Sequence, residues 1–207
     1  MSDEISTNRG ERTRGEILQA AYALFLERGF HGTSMRQIAQ KAGIALGGIY
    51  NHYASKDDIF QAVFLEHHPY RQIFIHIDEL QGDTVEEALS TAAYKLVGEL
   101  GDRTDFLKLM FIELVEFNGG HIQQLFPVIL PHVLKFAQRF LTGREELRDI
   151  PPLLLVRSFI GLFFSYVVTE AILAGQLPPE GRENALDYFL DIYLHGILKK
   201  DPSVEAA

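Results

Sequence analysis

The chain of 207 residues contains no cysteine. This absence excludes a disulfide-bonded scaffold and cysteine-based catalysis, and it agrees with the reducing cytoplasm, where we expect the protein to reside. The first sixteen residues lack an apolar core, so we expect neither a signal peptide nor a membrane anchor there. We expect residues 1–10 to form a flexible polar arm instead.

The sequence signatures of common catalytic sites are also missing: a Gly-x-Ser-x-Gly elbow, a phosphate-binding loop and His-Glu-x-x-His. His67, His68 and His76 lie near one another in sequence, but Pro69 disturbs the helical register between them. No carboxylate is clearly placed to complete a metal site. We therefore predict a protein that is not an enzyme and that holds neither a metal nor another cofactor.

The most apolar segment, residues 152–174, is not a convincing membrane span. Arg157 and Glu170 interrupt it, and its uninterrupted apolar run is shorter than the roughly 20 residues that a bilayer requires. The pattern predicts a helix that is buried on several faces, and no contact with a membrane.

Charge is distributed unevenly along the chain. Residues 1–60 hold seven basic and seven acidic residues, whereas residues 61–207 hold twelve basic and 21 acidic ones and so carry the whole net charge of −9. A neutral first segment with clustered arginines on an acidic remainder is compatible with phosphate binding at one end, and equally with a generic acidic protein.

Helical periodicity runs through nearly the whole chain, and we find no strand-like alternation, internal repeat or low-complexity tract. Gly29 suits a helix C-cap, Ser34 with Gln37 suits a capping box, and Ser55 suits an N-cap. A helix that ends near residue 42, a turn through Gly43 and a short second helix predict a helix-turn-helix. The predicted fold class is all-α.

Residues 14–64 read RGEILQAAYALFLERGFHGTSMRQIAQKAGIALGGIYNHYASKDDIFQAVF. They contain, in order, an apolar first helix, Gly-Phe before a threonine, RQIAQKAGI, a Gly-x-Ile-Tyr helix, an aromatic residue and SKDD. In this order the segment resembles the TetR family of bacterial transcriptional regulators. The resemblance implies a DNA-binding domain followed by a helical domain that binds an effector and dimerises.

We place the domain boundaries accordingly. Residues 11–54 form the three-helix DNA-binding domain, residues 55–200 the larger effector-binding and dimerisation domain, and residues 201–207 a flexible tail. In the larger domain we expect helices over residues 84–100, 105–117, 152–174 and 181–198. Between residues 120 and 142 we expect two helical segments, interrupted at Pro127 and Pro131.

The recognition helix of a helix-turn-helix places its first residues against base edges in the major groove. Ala45, Leu46 and Gly47 offer only apolar contact and close approach there. Arg36 is the nearby side chain that can pair bidentately with guanine, unless it is simply a solvated surface residue. By resemblance, phosphate contacts come from four further residues: Thr33, Tyr50, His52 and Lys56.

Two positions depart from the family pattern. The family usually has a hydroxyl residue where this chain has Ala45, so the recognition helix loses its side-chain cap. It often has threonine where this chain has Gly48. We expect Tyr53 to belong to the core.

Aromatic side chains with scattered polar groups occupy the central helices and suit either an ordinary core or a pocket for a largely apolar effector. The resemblance favours the pocket, with Glu113 and Glu170 as its polar anchors. The candidate ligand-binding residues are Phe64, Phe74, Tyr94, Phe106, Met110, Glu113, Phe117, Phe163, Tyr166 and Glu170.

The last two helices carry more apolar surface than the outer face of a monomer needs. Packed against a second copy they would make a four-helix bundle, the arrangement that the resemblance implies. The candidate interface residues are Leu153, Val156, Ile160, Phe164, Leu186, Phe189, Ile192, Tyr193 and Ile197.

The sequence therefore predicts a homodimeric repressor that leaves a palindromic operator when it binds a small, largely apolar effector. Two alternatives come from other classes: a helical enzyme with a buried small-molecule site, and a protein-interaction module that does not bind DNA.

Overall fold

The computed structural model describes residues 2–70, 72–73, 83–101, 103–173 and 175–198, with side chains from residue 10 onward. Within these ranges, β-pairing is limited to one isolated antiparallel bridge between Leu147 and Leu198. The predicted all-α fold class is confirmed. The helices are α1 Ser2–Arg28, α2 Met35–Lys41, α3 Leu46–Ile49, α4 Lys56–His67, α5 Val85–Gly101, α6 Thr104–Phe117, α7 Gly120–Phe140, α8 Pro152–Leu173 and α9 Ala185–Ile197.

The chain divides into two compact units. Unit 1 comprises Met1–His68 and Asp105–Gln124, and unit 2 comprises Pro69–Thr104 and Leu125–Ala207. This division differs from the predicted boundary after residue 54, because α4 and nearly all of α6 belong with α1–α3. The reason is aromatic packing: the ring of Phe117 on α6 lies 4.8 Å from that of Phe60 on α4 and 4.9 Å from that of Phe30.

Apolar side chains at helical spacing make the core of unit 1. In α1, Ile17, Ala21, Leu24 and Phe25 recur every three or four residues and are buried. The side chains that meet them come from α2, α3 and α4: Ile38, Ala39, Ile49, Ile59, Phe60, Val63 and Phe64. Tyr53 is buried too, as predicted.

The core of unit 2 is built from α5, α7, α8 and α9. α8 is long and apolar enough, by length and composition, to cross a membrane. Its buried face, however, packs in this core through Leu155, Val156, Phe159 and Phe163. Only 28% of its most apolar 18-residue stretch is buried, so the predicted burial on several faces is wrong: one face packs in the core and the remaining apolar side chains are exposed.

The arm predicted over residues 1–10 is helical from Ser2 onward, because α1 already begins there. The segment contains no proline, and Glu4 and Arg9 favour a helix. Arg12 and Glu16 add an ion pair one turn apart, with 3.0 Å between nitrogen and oxygen. The tail predicted over residues 201–207 lies outside the described residues.

The predicted interruption at Pro127 and Pro131 is wrong, because α7 runs unbroken from Gly120 to Phe140. Each proline removes one hydrogen bond to the carbonyl four residues earlier. The two prolines are four residues apart, so they share one face of the helix, and both are exposed. Water can therefore solvate the freed carbonyls, while Phe136, Ala137 and Phe140 anchor the end of the helix in the core.

Candidate nucleic-acid interface

The turn between α1 and α2 is fixed by side chains that bond to its carbonyls. Gly29 adopts a φ of +70°, which favours glycine. The Thr33 hydroxyl donates to the carbonyls of Leu24 and Gly29, at 3.2 and 2.9 Å. The Lys56 ammonium donates to the carbonyls of Phe30 and Thr33, at 2.7 and 2.8 Å, and lies 4.0 Å from the centre of the Phe30 ring.

These bonds correct the predicted phosphate contact of the Thr33 side chain, whereas that of Lys56, which is partly exposed and keeps one N–H, stays a prediction. Thr33 is 2% exposed and its hydroxyl is already bonded, so the side chain belongs to the turn. Two of the three N–H groups of Lys56 hold the start of α4 against that turn, and burial lowers the pKa of its ammonium. Both residues position the helix-turn-helix.

α2 begins at the predicted cap. The Ser34 side chain accepts from the backbone N–H of Gln37, and the Gln37 side chain accepts from the backbone N–H of Ser34, which completes the capping box. Arg36 lies on the exposed side of this helix. Its guanidinium makes no hydrogen bond or ion pair with any part of the chain that the structure describes, so all its donors remain available.

α3 follows a turn at Gly43, where φ is +71°. Ala45 stands at its N-cap and supplies no side-chain bond, as predicted from the departure from the family pattern. Ile49 is fully buried and anchors the helix, whereas Ala45, Leu46 and Gly47 are exposed. The first turn of α3 therefore presents an outer surface without polar side chains.

The two glycines of α3 have room for a side chain. A Cβ atom added to Gly47 or Gly48 would meet no other heavy atom within 4 Å, chain neighbours and the backbone of the helix itself aside. Neither residue has a positive φ. Glycine weakens a helix by about 1 kcal/mol relative to alanine. Neither packing nor backbone conformation within the chain requires these glycines, so the surface of α3 is open at both positions.

The residues after α3 border the same surface. Tyr50 is 53% exposed, Asn51 is exposed, and His52 is partly buried. Sequence reasoning did not select Asn51, although a short amide between Tyr50 and His52 is well suited to hydrogen bonding. Together with Arg36, these side chains surround the apolar tip of α3 with hydrogen-bond donors, which suits a DNA major groove flanked by phosphates.

Comparison with known proteins agrees with this geometry. Residues 17–63 match the profile of the tetR family of bacterial regulatory proteins. The helix-turn-helix segment of the chain belongs to the TetR family of transcriptional regulators. The matched family consists of regulators and is not an enzyme family, in line with the prediction from the sequence.

The relatives of this chain differ in how much of their length is similar to it. The HTH-type transcriptional regulator YvkB of Bacillus subtilis is 23% identical over 89% of this chain and 97% of its own length. The HTH-type transcriptional repressor KstR2 of Rhodococcus jostii is 36% identical, over 46% of this chain. The match spans about half (48%) of the length of KstR2. It spans about a third (33%) of the length of the HTH-type transcriptional regulator UidR of Escherichia coli.

Two solved structures share the fold. GusR of Salmonella enterica superposes with a TM-score of 0.69 at 21% identity, over 91% of this chain and 96% of its own. NalD of Pseudomonas aeruginosa, the secondary repressor of the MexAB-OprM multidrug efflux pump, gives a TM-score of 0.67 at 20% identity, over 93% and 100%. At these identities the likeness concerns the fold alone.

The residues predicted to line an effector pocket fall into both units. Phe64, Phe106, Met110, Glu113 and Phe117 belong to unit 1, whereas Tyr94, Phe163, Tyr166 and Glu170 belong to unit 2. Phe74 lies outside the described residues. No group of three or more histidine or acidic side chains in the described part of the chain is arranged to hold a metal ion.

Glu113 corrects a prediction. Its fully buried carboxylate accepts from the backbone N–H of His121 at 2.7 Å, and its other oxygen lies 2.7 Å from Nδ1 of the same histidine. The backbone N–H of Ile122 adds a weaker bond at 3.4 Å. The carboxylate therefore caps the start of α7, where helix N–H groups lack partners. Its hydrogen bonds hold two helices together, so it is not a free anchor for a ligand.

Two of the candidates in unit 2 have aromatic or polar partners on α9. The Tyr94 hydroxyl donates to the carboxylate of Asp187, and Tyr94 is half exposed, which places it on the surface and corrects its assignment to a pocket. The Tyr166 ring lies 5.1 Å from that of Phe189. Burial raises the pKa of the Tyr166 hydroxyl, and the negative charges of Glu170 and Asp187 raise it further by smaller amounts.

The predicted interface residues divide into an exposed and a buried set. Leu153, Ile160 and Ile192 are exposed, at 49%, 51% and 67%. Phe164, Leu186 and Phe189 are partly exposed. The other three predictions are corrected, because Val156, Tyr193 and Ile197 are buried in the core of unit 2, where the Tyr193 hydroxyl donates to the carbonyl of Leu155 at 2.6 Å. Further exposed apolar residues on α8 and α9 are Leu154, Ile172 and Tyr188.

Proposed function

We propose that this regulator is a cytoplasmic homodimer that represses transcription from a palindromic operator and releases it when a small, largely apolar effector binds. The observation that carries the proposal is the tip of α3. Gly47 and Gly48 have open space where a Cβ would stand, and Leu46 beside them is 42% exposed. A helix without bulky side chains can approach base edges closely.

The surrounding residues take different roles at the DNA. Arg36 reads a guanine, since its free guanidinium can donate two parallel hydrogen bonds. Ala45, Leu46 and Gly47 supply apolar contact, for example to thymine methyl groups. Tyr50, Asn51 and His52 bond to phosphates, which position the protein without reading sequence.

Dimerisation supplies the second recognition helix. The exposed apolar side chains of α8 and α9, with Ile160 and Ile192 among them, would be covered by the same surface of a second copy. A two-fold dimer then binds two half-sites whose centres are about 34–36 Å apart.

The route from effector to DNA runs through α6. This helix contacts the DNA-binding helices inside unit 1: Nε2 of His31 lies 2.6 Å from Oε2 of Glu116, and the Tyr22 hydroxyl lies 3.5 Å from Oδ2 of Asp105. An effector that binds among the aromatic residues of the central helices and shifts α6 would reorient the DNA-binding helices. Effector and DNA then weaken each other by the same free energy, typically about 1–3 kcal/mol.

A salt titration on a selected operator tests the proposal. The purified protein is used to select binding sites from random duplexes, and affinity for the enriched site is measured by fluorescence anisotropy at several salt concentrations. Affinity should fall as the salt concentration rises from 50 to 200 mM, with log affinity against log salt concentration sloping by about −0.9 for each phosphate that a basic side chain of the dimer neutralises. Arg36→Ala should lose discrimination at one base pair, worth about 1–3 kcal/mol, whereas Arg182→Ala, an exposed arginine of unit 2, should not. Failure to enrich any sequence, or an affinity indifferent to salt, contradicts the proposal.

A further inference from the structure

Unit 2 contains a cavity of about 470 Å³ at the segment that joins α7 to α8. It is lined by residues between Leu141 and Pro152. A volume of this size falls in the range of small-molecule sites, roughly 300–1,000 Å³. None of the residues predicted for the effector pocket lines it.

Backbone contacts fix this segment on the core. The N–H of Arg148 donates to the carbonyl of Ile197 at 2.8 Å, beside the bridge between Leu147 and Leu198. Leu141 and Leu147 are buried and contribute an apolar wall. The cavity therefore has one side that suits hydrocarbon.

Two arginines give the cavity its charge. Arg144 donates one hydrogen bond, at 3.0 Å, to the carbonyl of Asp83, and Arg148 donates one, at 2.7 Å, to the carbonyl of Gly196. A guanidinium has five N–H donors, so each arginine retains four. Neither pairs with a carboxylate anywhere in the described ranges, although the chain as a whole carries a net charge of −9.

One acidic residue, Asp149, also lines the cavity, but it is exposed and makes no ion pair with either arginine. The positive end of the α8 dipole adds to the charge of the arginines, since Pro152 is both the first residue of α8 and part of the lining. The charged residues that line the cavity are therefore two arginines and one aspartate, next to an apolar wall, while the neighbouring Glu145 and Glu146 are exposed and do not line it.

We propose that this cavity binds a small amphiphilic oxyanion, a carboxylate or a phosphate carried on a short apolar group. The guanidinium groups match the paired oxygens of such an anion, and Leu141 and Leu147 receive its apolar part. The site is separate from the DNA-binding surface, and the proposal does not depend on the proposed repressor function.

Calorimetric titration of the full chain at constant ionic strength tests the proposal with hexanoate, hexyl phosphate and 1-hexanol as probes. At least one of the two anions should bind at least tenfold more tightly than the neutral alcohol, and comparison of the two identifies the preferred oxyanion. Arg144→Gln should weaken binding of that anion by about tenfold, as expected for a lost charge-assisted hydrogen bond. Arg182→Gln, an exposed arginine outside the cavity, should leave it unchanged.

Two further variants protect the test against misfolding. Arg148 bonds to a carbonyl near the end of α9, so its loss could affect folding, and Arg148→Lys is used instead. This variant keeps the positive charge but loses the planar guanidinium with its paired donors. It should weaken anion binding while the melting temperature stays close to that of the wild type. Asp149→Asn should leave binding unchanged or strengthen it, because it removes a like charge. Equal binding of hexanol and the anions, no binding of either anion, an unaffected Arg144→Gln, or weaker binding in Asp149→Asn would overturn the proposal.

Discussion

Gly47 and Gly48 follow each other in α3, a helix of only four residues. Because a Cβ at either position meets no atom of the chain, a substitution there can change the fit of α3 to DNA without disturbing the packing of the protein. Gly47→Ala should raise the free energy of unfolding by up to about 1 kcal/mol, because alanine favours the helix and its methyl group meets no atom of the chain. The same methyl group should weaken operator binding about tenfold to a hundredfold, since overpacking an interface costs about 1–3 kcal/mol.

A second glycine provides the control. Gly98 is exposed within α5, and a Cβ there also meets nothing within 4 Å. Gly98→Ala should therefore give a similar gain in stability and leave operator affinity unchanged. Chemical denaturation and fluorescence anisotropy measure the two quantities. If Gly47→Ala binds the operator as tightly as the wild type does, the close approach of α3 to DNA is disproved.

His68 makes stability depend on pH. Its ring lies 5.5 Å from that of Phe64 and 5.1 Å from that of Phe106, and burial lowers its pKa from 6.5 to about 4. The unfolded chain therefore takes up a proton below about pH 6.5, while the folded chain does so only near pH 4. Stability is unaffected at pH 7 and is lost as the pH falls through this window, by about 3 kcal/mol in total.

His68→Leu should remove this part of the acid sensitivity. Free energies of unfolding, measured from pH 7.5 to 4, should fall less steeply in the variant than in the wild type. Gly98→Ala serves as the control, because it changes no titratable group and should not alter the slope. Identical slopes for the wild type and His68→Leu would contradict the burial of a neutral histidine.

At the scale of helices, α8 and α9 divide their apolar residues between the core and an exposed face. Ile160→Glu and Ile192→Glu should convert a dimer into folded monomers, because each would place an unpaired charge in the interface while leaving the core untouched. Sedimentation velocity measures the change. Val115→Glu is the control: Val115 is 74% exposed on α6 and lies on neither helix, so the dimer should persist. Dimers that survive both isoleucine substitutions would refute this interface.

The ends of the first helices could be predicted from the sequence because their chemistry is local. The capping boxes of Ser34 with Gln37 and of Ser55 with Asp58 each act within three residues. The place of α6 could not be predicted in this way. Phe117 packs on Phe30, and Glu113 caps α7 through His121, so both roles depend on partners that helical periodicity does not reveal. The same holds for Thr33 and Lys56, whose bonding partners are carbonyls in a turn that tertiary structure creates.

At the scale of the whole molecule, the net charge is confined to the part of the chain that follows the DNA-binding segment. The first 60 residues have no net charge, and the remaining residues carry −9, so DNA is repelled by most of the chain. We expect binding to depend on a few correctly placed contacts around α3, with Arg36 and Tyr50 at its border. Strong nonspecific binding is not expected, because seven acidic residues offset the seven basic ones in the first 60 residues.

The structure of the dimer on its selected operator is the most direct measurement. The account predicts both copies of α3 in successive turns of the major groove, with centres about 34–36 Å apart and the backbone of Gly47 in van der Waals contact with base edges, at roughly 4 Å. A complex in which another element fills the groove, or in which Gly47 faces water or protein, would contradict it.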